Sequence, residues 1–267
     1  MFILNPHRTW RSFSSTGPCC FTFPLFIPPF FAGIFEILMI ISRIVRDLLW
    51  LVYPELCAAC DKPLSAGEDC ICTFCRYHLP RTHFHLEKDN PIEKQFWGRI
   101  PVVAATAFFH FSKGEKVQQM IHKLKYNGQK EIGVTVGEWM GHEMKEAEGF
   151  AKAGLVVPVP LHPRRQSKRG YNQSAMIAEG LAKSLGIPFS EALERNTETS
   201  TQTKKHRYER FENVNRVFAV RSRSEVENKH ILLVDDVITT GSTLIACAES
   251  LLEVPGTRVS IATMAYA

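Results

Sequence analysis

Apolar positions along this chain follow two periods. Residues 231–234 form an unbroken apolar run, of the length and type that suits a strand buried on both faces. Residues 155–161 make a similar run stopped by prolines, residues 101–111 are β-like, and residues 259–264 read as a last strand. Between these runs the spacing changes to threes and fours. Val117, Met120, Ile121 and Leu124 make one helical face, closed by Tyr126, Asn127 and Gly128. Ile132, Val136, Trp139, Met140 and Met144 make a second, and Ile177, Leu181 and Leu185 a third that ends at Gly186. Leu244, Ile245, Ala248, Leu251 and Leu252 make a fourth. Ser112 and Glu115 have the spacing of a capping box ahead of the first of these helices. Strands alternating with helices predict an α/β fold: a mostly parallel sheet with helices on both faces and a ligand at the carboxyl ends of its strands.

The start of the chain breaks this pattern. Residues 12–35 carry no charge and are rich in Phe, Pro and Ile. Pro18, Pro24, Pro28 and Pro29 interrupt any spanning helix, and the run 30–41 is short for a span and contains Glu36. No small-residue cleavage site follows, as a signal peptide requires. Residues 1–42 are expected to be an extension outside the fold, with Met39 a plausible start, no stable membrane span, and a membrane anchor as the competing reading. Residues 40–51 then read as an amphipathic helix, with Ile41, Ile44, Val45, Leu48 and Leu49 opposite Arg43, Arg46 and Asp47.

At 267 residues, 45% hydrophobic and 22% charged, the chain has room for one substantial domain and a small one. Its net charge of +5 suits an anionic ligand as well as nucleic acid. Cysteine changes the picture more. Four of the 8 cysteines form two CxxC pairs, Cys57 with Cys60 and Cys72 with Cys75. Two such knuckles offer the tetrahedral thiolate set that Zn²⁺ takes, and with every position filled by protein the site is structural. Paired CxxC knuckles point to a reducing, cytoplasmic setting. Two disulfides or free core cysteines are the alternatives. Arg76, His78, Arg81, His83 and His85, with Tyr77 and Phe84 among them, follow the knuckles. That mix can touch a polyanion, and a solvated linker is the plainer reading.

Two segments suggest anion chemistry. Asp235 and Asp236 stand where the run 231–234 should end, followed by a turn of Thr239, Thr240, Gly241, Ser242 and Thr243 and then a helix. A helix N-terminus favours phosphate, Gly241 lets the backbone approach, and the carboxylates can accept hydrogen bonds from a sugar diol. The combination suits a ribose 5-phosphate. After the run 155–161 come Arg164, Arg165, Lys168, Arg169 and Gly170, a cationic loop that suits pyrophosphate, with Asn172 and Gln173 as further donors. A solvated basic loop or an RNA contact is the alternative there. Lys123 and Lys125 are accounted for by the dipole of their own helix, and His142 and Glu143 are assigned to the surface. Residues 194–222 are polar and basic, without a hydrophobic period.

The stretch Val234-Asp-Asp-Val-Ile-Thr-Thr-Gly-Ser-Thr243 resembles the phosphoribosyl pyrophosphate (PRPP) signature of type I phosphoribosyltransferases. Val157-Pro-Val-Pro-Leu161, Arg169-Gly-Tyr-Asn-Gln-Ser174, Lys125-Tyr-Asn-Gly128 and Thr201-Gln-Thr203, with Arg207 and Asn215, narrow the resemblance to the ComF family, which includes the ComFC and GntX proteins. The resemblance implies a zinc module over residues 43–99 and a phosphoribosyltransferase domain over residues 100–267. It implies that PRPP binds with Mg²⁺, that Lys204 and Arg207 belong to a lid, and that phosphoribosyl passes to an unknown nitrogen acceptor with release of pyrophosphate. A non-catalytic PRPP or nucleotide sensor is the alternative. Single-stranded DNA or the competence machinery are the partner classes the family suggests.

Overall fold

A computed structural model describes residues 39–42, 53–195 and 217–267. The chain divides into two units, residues 1–53 and 54–267. Of the first, residues 39–42 are helical. Among the described residues no helix is long and apolar enough to cross a membrane.

The second unit opens with a short helix, α1 (Thr73–His78), in the cysteine segment and is built on one parallel sheet. Its strands are β1 (Ala105–His110), β2 (Leu155–Pro158), β5 (His230–Ile238) and β6 (Arg258–Tyr266), in the order β1-β6-β5-β2. Successive side chains of a strand point to opposite faces, and here both faces are covered. Leu232, Val234, Ala262 and Met264 join one core with helices α3 (Lys116–Tyr126), α4 (Glu131–Met144) and α6 (Gln173–Leu185). Ile231, Leu233, Val259 and Ile261 join the other, against α2 (Pro91–Lys94) and α8 (Ser242–Leu252). The α/β expectation therefore holds.

Boundaries differ from the sequence reading in four places. Helix α3 begins at Lys116 with Glu115 as its N-cap, and no side chain caps it, so the Ser112–Glu115 box does not form. Strand β2 stops at Pro158. The basic segment after it is a short helix, α5 (Pro163–Arg169), where a loop was expected. Strand β5 continues through both acids, because β6 pairs alongside it from His230↔Arg258 to Ile238↔Tyr266. A small antiparallel ladder, β3 (Leu193–Arg195) with β4 (Phe218–Val220), is a feature the hydrophobic pattern did not single out. Phe218 is buried there, whereas Val217 is exposed. A one-turn helix, α7 (Arg223–Val226), leads into β5.

Helices α4 and α6 pack at glycine distance. A Cβ on Gly137 would lie 2.1 Å from the Ile177 carbonyl oxygen, and one on Gly180 would lie 2.1 Å from that of Val134. Only hydrogen fits at those two points. The seam fixes α6, whose N-terminus reaches the candidate site.

Candidate functional site

The site forms where β2 and β5, neighbouring parallel strands, reach their carboxyl ends with Pro158 opposite Val234. From β5 come Asp235 and Asp236, and their surroundings differ. The Ser174 hydroxyl, at the start of α6, donates to Asp235 Oδ1 at 2.8 Å, and the Asp236 amide donates to the same oxygen at 2.8 Å. Burial and then the neighbouring Asp236 charge push the Asp235 carboxyl up to about 7, against the pull of those two hydrogen bonds and of Lys125. Asp236 is paired directly, with Lys125 Nζ at 2.8 Å from its Oδ2.

Lys125 and Ser174 contact the acid pair, and residue-by-residue reading missed both. Lys125 was assigned to its helix dipole, and that assignment is incomplete: the side chain crosses from α3 to the acid pair. The signal available was the Lys125-Tyr-Asn-Gly128 stretch itself, and for Ser174 its place at the end of Arg169-Gly-Tyr-Asn-Gln-Ser174.

Beyond the acids, β5 ends at Ile238 and the turn of Thr239, Thr240 and Gly241 leads into α8. Thr239, Thr240, Ser242 and Thr243 are exposed. Gly241 has φ 72°, the left-handed region that disfavours a side chain, and a Cβ there would also press on the Phe96 ring at 3.3 Å. No side chain caps α8, so its first-turn amides keep their donors free of side-chain partners. The Thr240 and Ser242 hydroxyls lie 3.0 Å apart. The turn is therefore open, rich in donors and at the positive end of an 11-residue helix, the surroundings a phosphate favours.

Helix α5 stands at the end of β2, with the His162 ring accepting from the Arg164 amide at 3.2 Å. Arg164, Arg165 and Lys168 are exposed, and their side chains have no partner among the described residues. Arg169 differs: it donates to Gln173 Oε1 at 2.7 Å and covers the Tyr126 ring at 5.3 Å. Asn172 and Gln173 are not free donors, a second correction. Asn172 caps α6 and donates to the Val159 carbonyl at 2.9 Å, and Gln173 donates to that of Tyr171 at 3.1 Å. Both are buried. Lys204 and Arg207 lie outside the described residues.

The four cysteines come together. The Cys57, Cys60, Cys72 and Cys75 sulfurs all lie within 4.8 Å of one another, with 3.8 Å between Cys60 and Cys72. Thiolates ~2.3 Å from a tetrahedral ion lie ~3.8 Å apart. Backbone amides of Ala59 and Cys72 point at Cys57 Sγ, at 3.4 and 3.3 Å, and that of Cys75 at Cys72 Sγ, at 3.4 Å. Such N–H···S contacts favour thiolates, so the set can hold a metal ion. No disulfide joins them. Cys70 is spare, its thiol turned to Thr135 Oγ1 at 3.4 Å. The cysteine module and the acid pair meet the same helix: Lys123 of α3 donates to the Cys57 carbonyl at 3.3 Å and pairs with Asp61, half a turn from Lys125.

Known proteins agree with this arrangement. Residues 172–267 match the model of the phosphoribosyl transferase domain. The DNA utilization protein YhgH of Escherichia coli K12 is 32% identical over 219 residues, covering 76% of this chain and 92% of that protein. Competence protein F of Haemophilus influenzae is 28% identical over 205 residues, covering 74% of this chain and 85% of that one. Competence protein ComFC of Streptococcus pneumoniae is 29% identical over 165 residues, covering 61% and 69%. With four cysteines gathered ahead of a parallel sheet of the type I phosphoribosyltransferase kind, and this likeness along nearly the whole of YhgH, the chain belongs to the ComF family.

Proposed function

We propose that this protein is a phosphoribosyltransferase that binds PRPP and transfers its phosphoribosyl group to a nitrogen acceptor with release of pyrophosphate. The observation that carries the reading is the pairing, at one end of β5, of two carboxylates with an uncapped helix turn of hydroxyl residues. In this reading the turn of Thr239, Thr240, Gly241, Ser242 and Thr243 holds the 5-phosphate. Asp235 and Asp236 accept hydrogen bonds from the ribose diol, and Lys125 orients Asp236. Arg164, Arg165, Lys168 and Arg169 face the pyrophosphate from the end of β2, joined by Lys204 and Arg207 of the lid segment. Positive charge grows on the ribose ring as the bond to pyrophosphate breaks, and the two carboxylates favour it electrostatically. Mg²⁺ arriving with PRPP supplies further neutralisation of the phosphate charge. No side-chain nucleophile is required; binding aligns the acceptor nitrogen with the anomeric carbon.

Zinc is the ion proposed for the four cysteines, from the all-thiolate donor set. Free thiolates so close together need a reducing compartment, which favours the cytoplasm. The boundaries 43–99 and 100–267 remain the proposed division between the metal module and the transferase domain.

The names of the relatives favour a second reading, a PRPP or nucleotide sensor serving DNA uptake or use, with single-stranded DNA or the competence machinery as partner. One assay separates the two. Purified protein is given PRPP and Mg²⁺ with a panel of bases and amines, and pyrophosphate is measured. Release that needs an acceptor, and that is lost in Asp235→Ala, supports the enzyme. PRPP binding without release supports the sensor. No binding of PRPP at all overturns both.

A further inference from the structure

The segment between the cysteine knuckles and β1 is pinned to the sheet. The Thr82 amide donates to the Phe108 carbonyl at 3.0 Å, the Thr82 hydroxyl bonds the Ala107 carbonyl, and Phe84 is buried. His83, at φ 57°, starts a turn of 3-10 helix, Phe84–Leu86. This fixed backbone brings His83 and His85 to Glu143 of α4. Glu143 was expected on the surface, and it is not there: its side chain is four-fifths buried and one oxygen pairs with Arg81. The other oxygen, Oε2, is buried and has no hydrogen-bond partner.

Two imidazole nitrogens face that oxygen. His83 Nδ1 is 4.0 Å from it and His85 Nε2 is 3.9 Å. Both distances are too long for a hydrogen bond. The three ligand atoms lie within 4.8 Å of one another. The His85 side chain is only 6% exposed, and neither of its ring nitrogens has a hydrogen-bond partner among the described residues. A buried carboxylate oxygen left without a hydrogen bond costs free energy unless something lies against it.

We propose that His83, His85 and Glu143 form a second divalent transition-metal site, separate from the four cysteines, which takes zinc. Two imidazoles and one carboxylate are a zinc donor set, and bonds of ~2.0–2.2 Å would draw these atoms in by about half an ångström. His83, at 57% side-chain exposure, leaves the solvent side open for a water as fourth ligand. The Arg81 guanidinium works against a cation here, but it is held to the far carboxylate oxygen and over the Phe108 ring at 5.2 Å. Its charge is offset by Glu143, so affinity should be lower than at the thiolates. The ion would fasten the segment leaving the knuckles to α4, the helix of the glycine seam.

The test uses the full chain with any histidine tag removed. After dialysis against micromolar zinc and then buffer, metal is counted per chain, and Co²⁺ is titrated in parallel. Wild type should hold two equivalents, and the His83→Ala/His85→Ala double variant should hold one. Glu143→Gln should weaken the second equivalent more than about tenfold. The second Co²⁺ should add visible absorption without new thiolate charge transfer. Because the double variant removes a partly buried ring, the exposed His83→Ala single variant is run beside it, with thermal unfolding of each as the folding control. One equivalent in wild type, or a second that persists in both folded histidine variants, overturns the site.

Discussion

Asp235 and Asp236 are adjacent, yet they are different acids. Asp236 has a lysine partner, and Asp235 is burdened by burial and by Asp236. A carboxyl raised from its ordinary value to about 7 binds its proton more tightly in the folded than in the unfolded chain. Its contribution to stability is therefore complete below the ordinary carboxylate range and is lost as pH rises through about 7. The urea midpoint of the free protein should fall between pH 5 and pH 8, and Asp235→Asn should flatten that fall. A wild-type profile no steeper than that of Asp235→Asn would count against the argument. Lys125→Met should push the Asp235 titration further up and weaken PRPP binding by about 1–2 kcal/mol, read by calorimetry. The acids and the phosphate turn were legible because they are contiguous. Ser174 was not, since its contact with Asp235 spans 61 residues and exists only once β5 and α6 are packed. Glu143 was misplaced for the same reason: its partner Arg81 lies 62 residues away.

Among the elements, the strands and long helices were legible from their periods, because burial on both faces leaves few polar residues in β5 and β6. The ends were less so. Two acids suggest the end of a strand, but β6 offers partners for Asp235 at Thr263 and for Val237 at Ala265, and the ladder continues. Helix α5 carries Pro163 at its start and Gly170 past its end, sequence cues for a helix that its lack of an apolar face obscured. The α4–α6 seam gives a sharper expectation. Gly137→Ala forces a methyl onto a carbonyl and should destabilise by about 1–3 kcal/mol, seen as a lower Tm. Since α6 carries Ser174, the same variant should also weaken PRPP binding. Gly241→Ala should cost about 1–2 kcal/mol from its backbone alone, and more in phosphate affinity than in stability. If Gly241→Ala binds PRPP as wild type does, the phosphate assignment fails.

For the molecule as a whole, the cysteine module shares the larger unit with the sheet. Cys57, Cys72 and Cys75 belong to the same buried cluster as α3 and α4, and Cys60 packs against it. Chelation should therefore lower the thermal midpoint of the whole unit, and adding zinc back should restore it; an unchanged midpoint would show that the knuckles stand without metal. Helix α3 carries the further consequence. Two side chains of its last turn, Lys123 and Lys125, contact the cysteine module and the acid pair respectively. If filling one site shifts this helix, the other must feel it, and such linkage runs both ways. Whatever factor the metal adds to PRPP affinity, PRPP must return to the metal. Saturating PRPP should slow the loss of zinc to a chelator, so the knuckles would report from a distance whether the ribose site is filled.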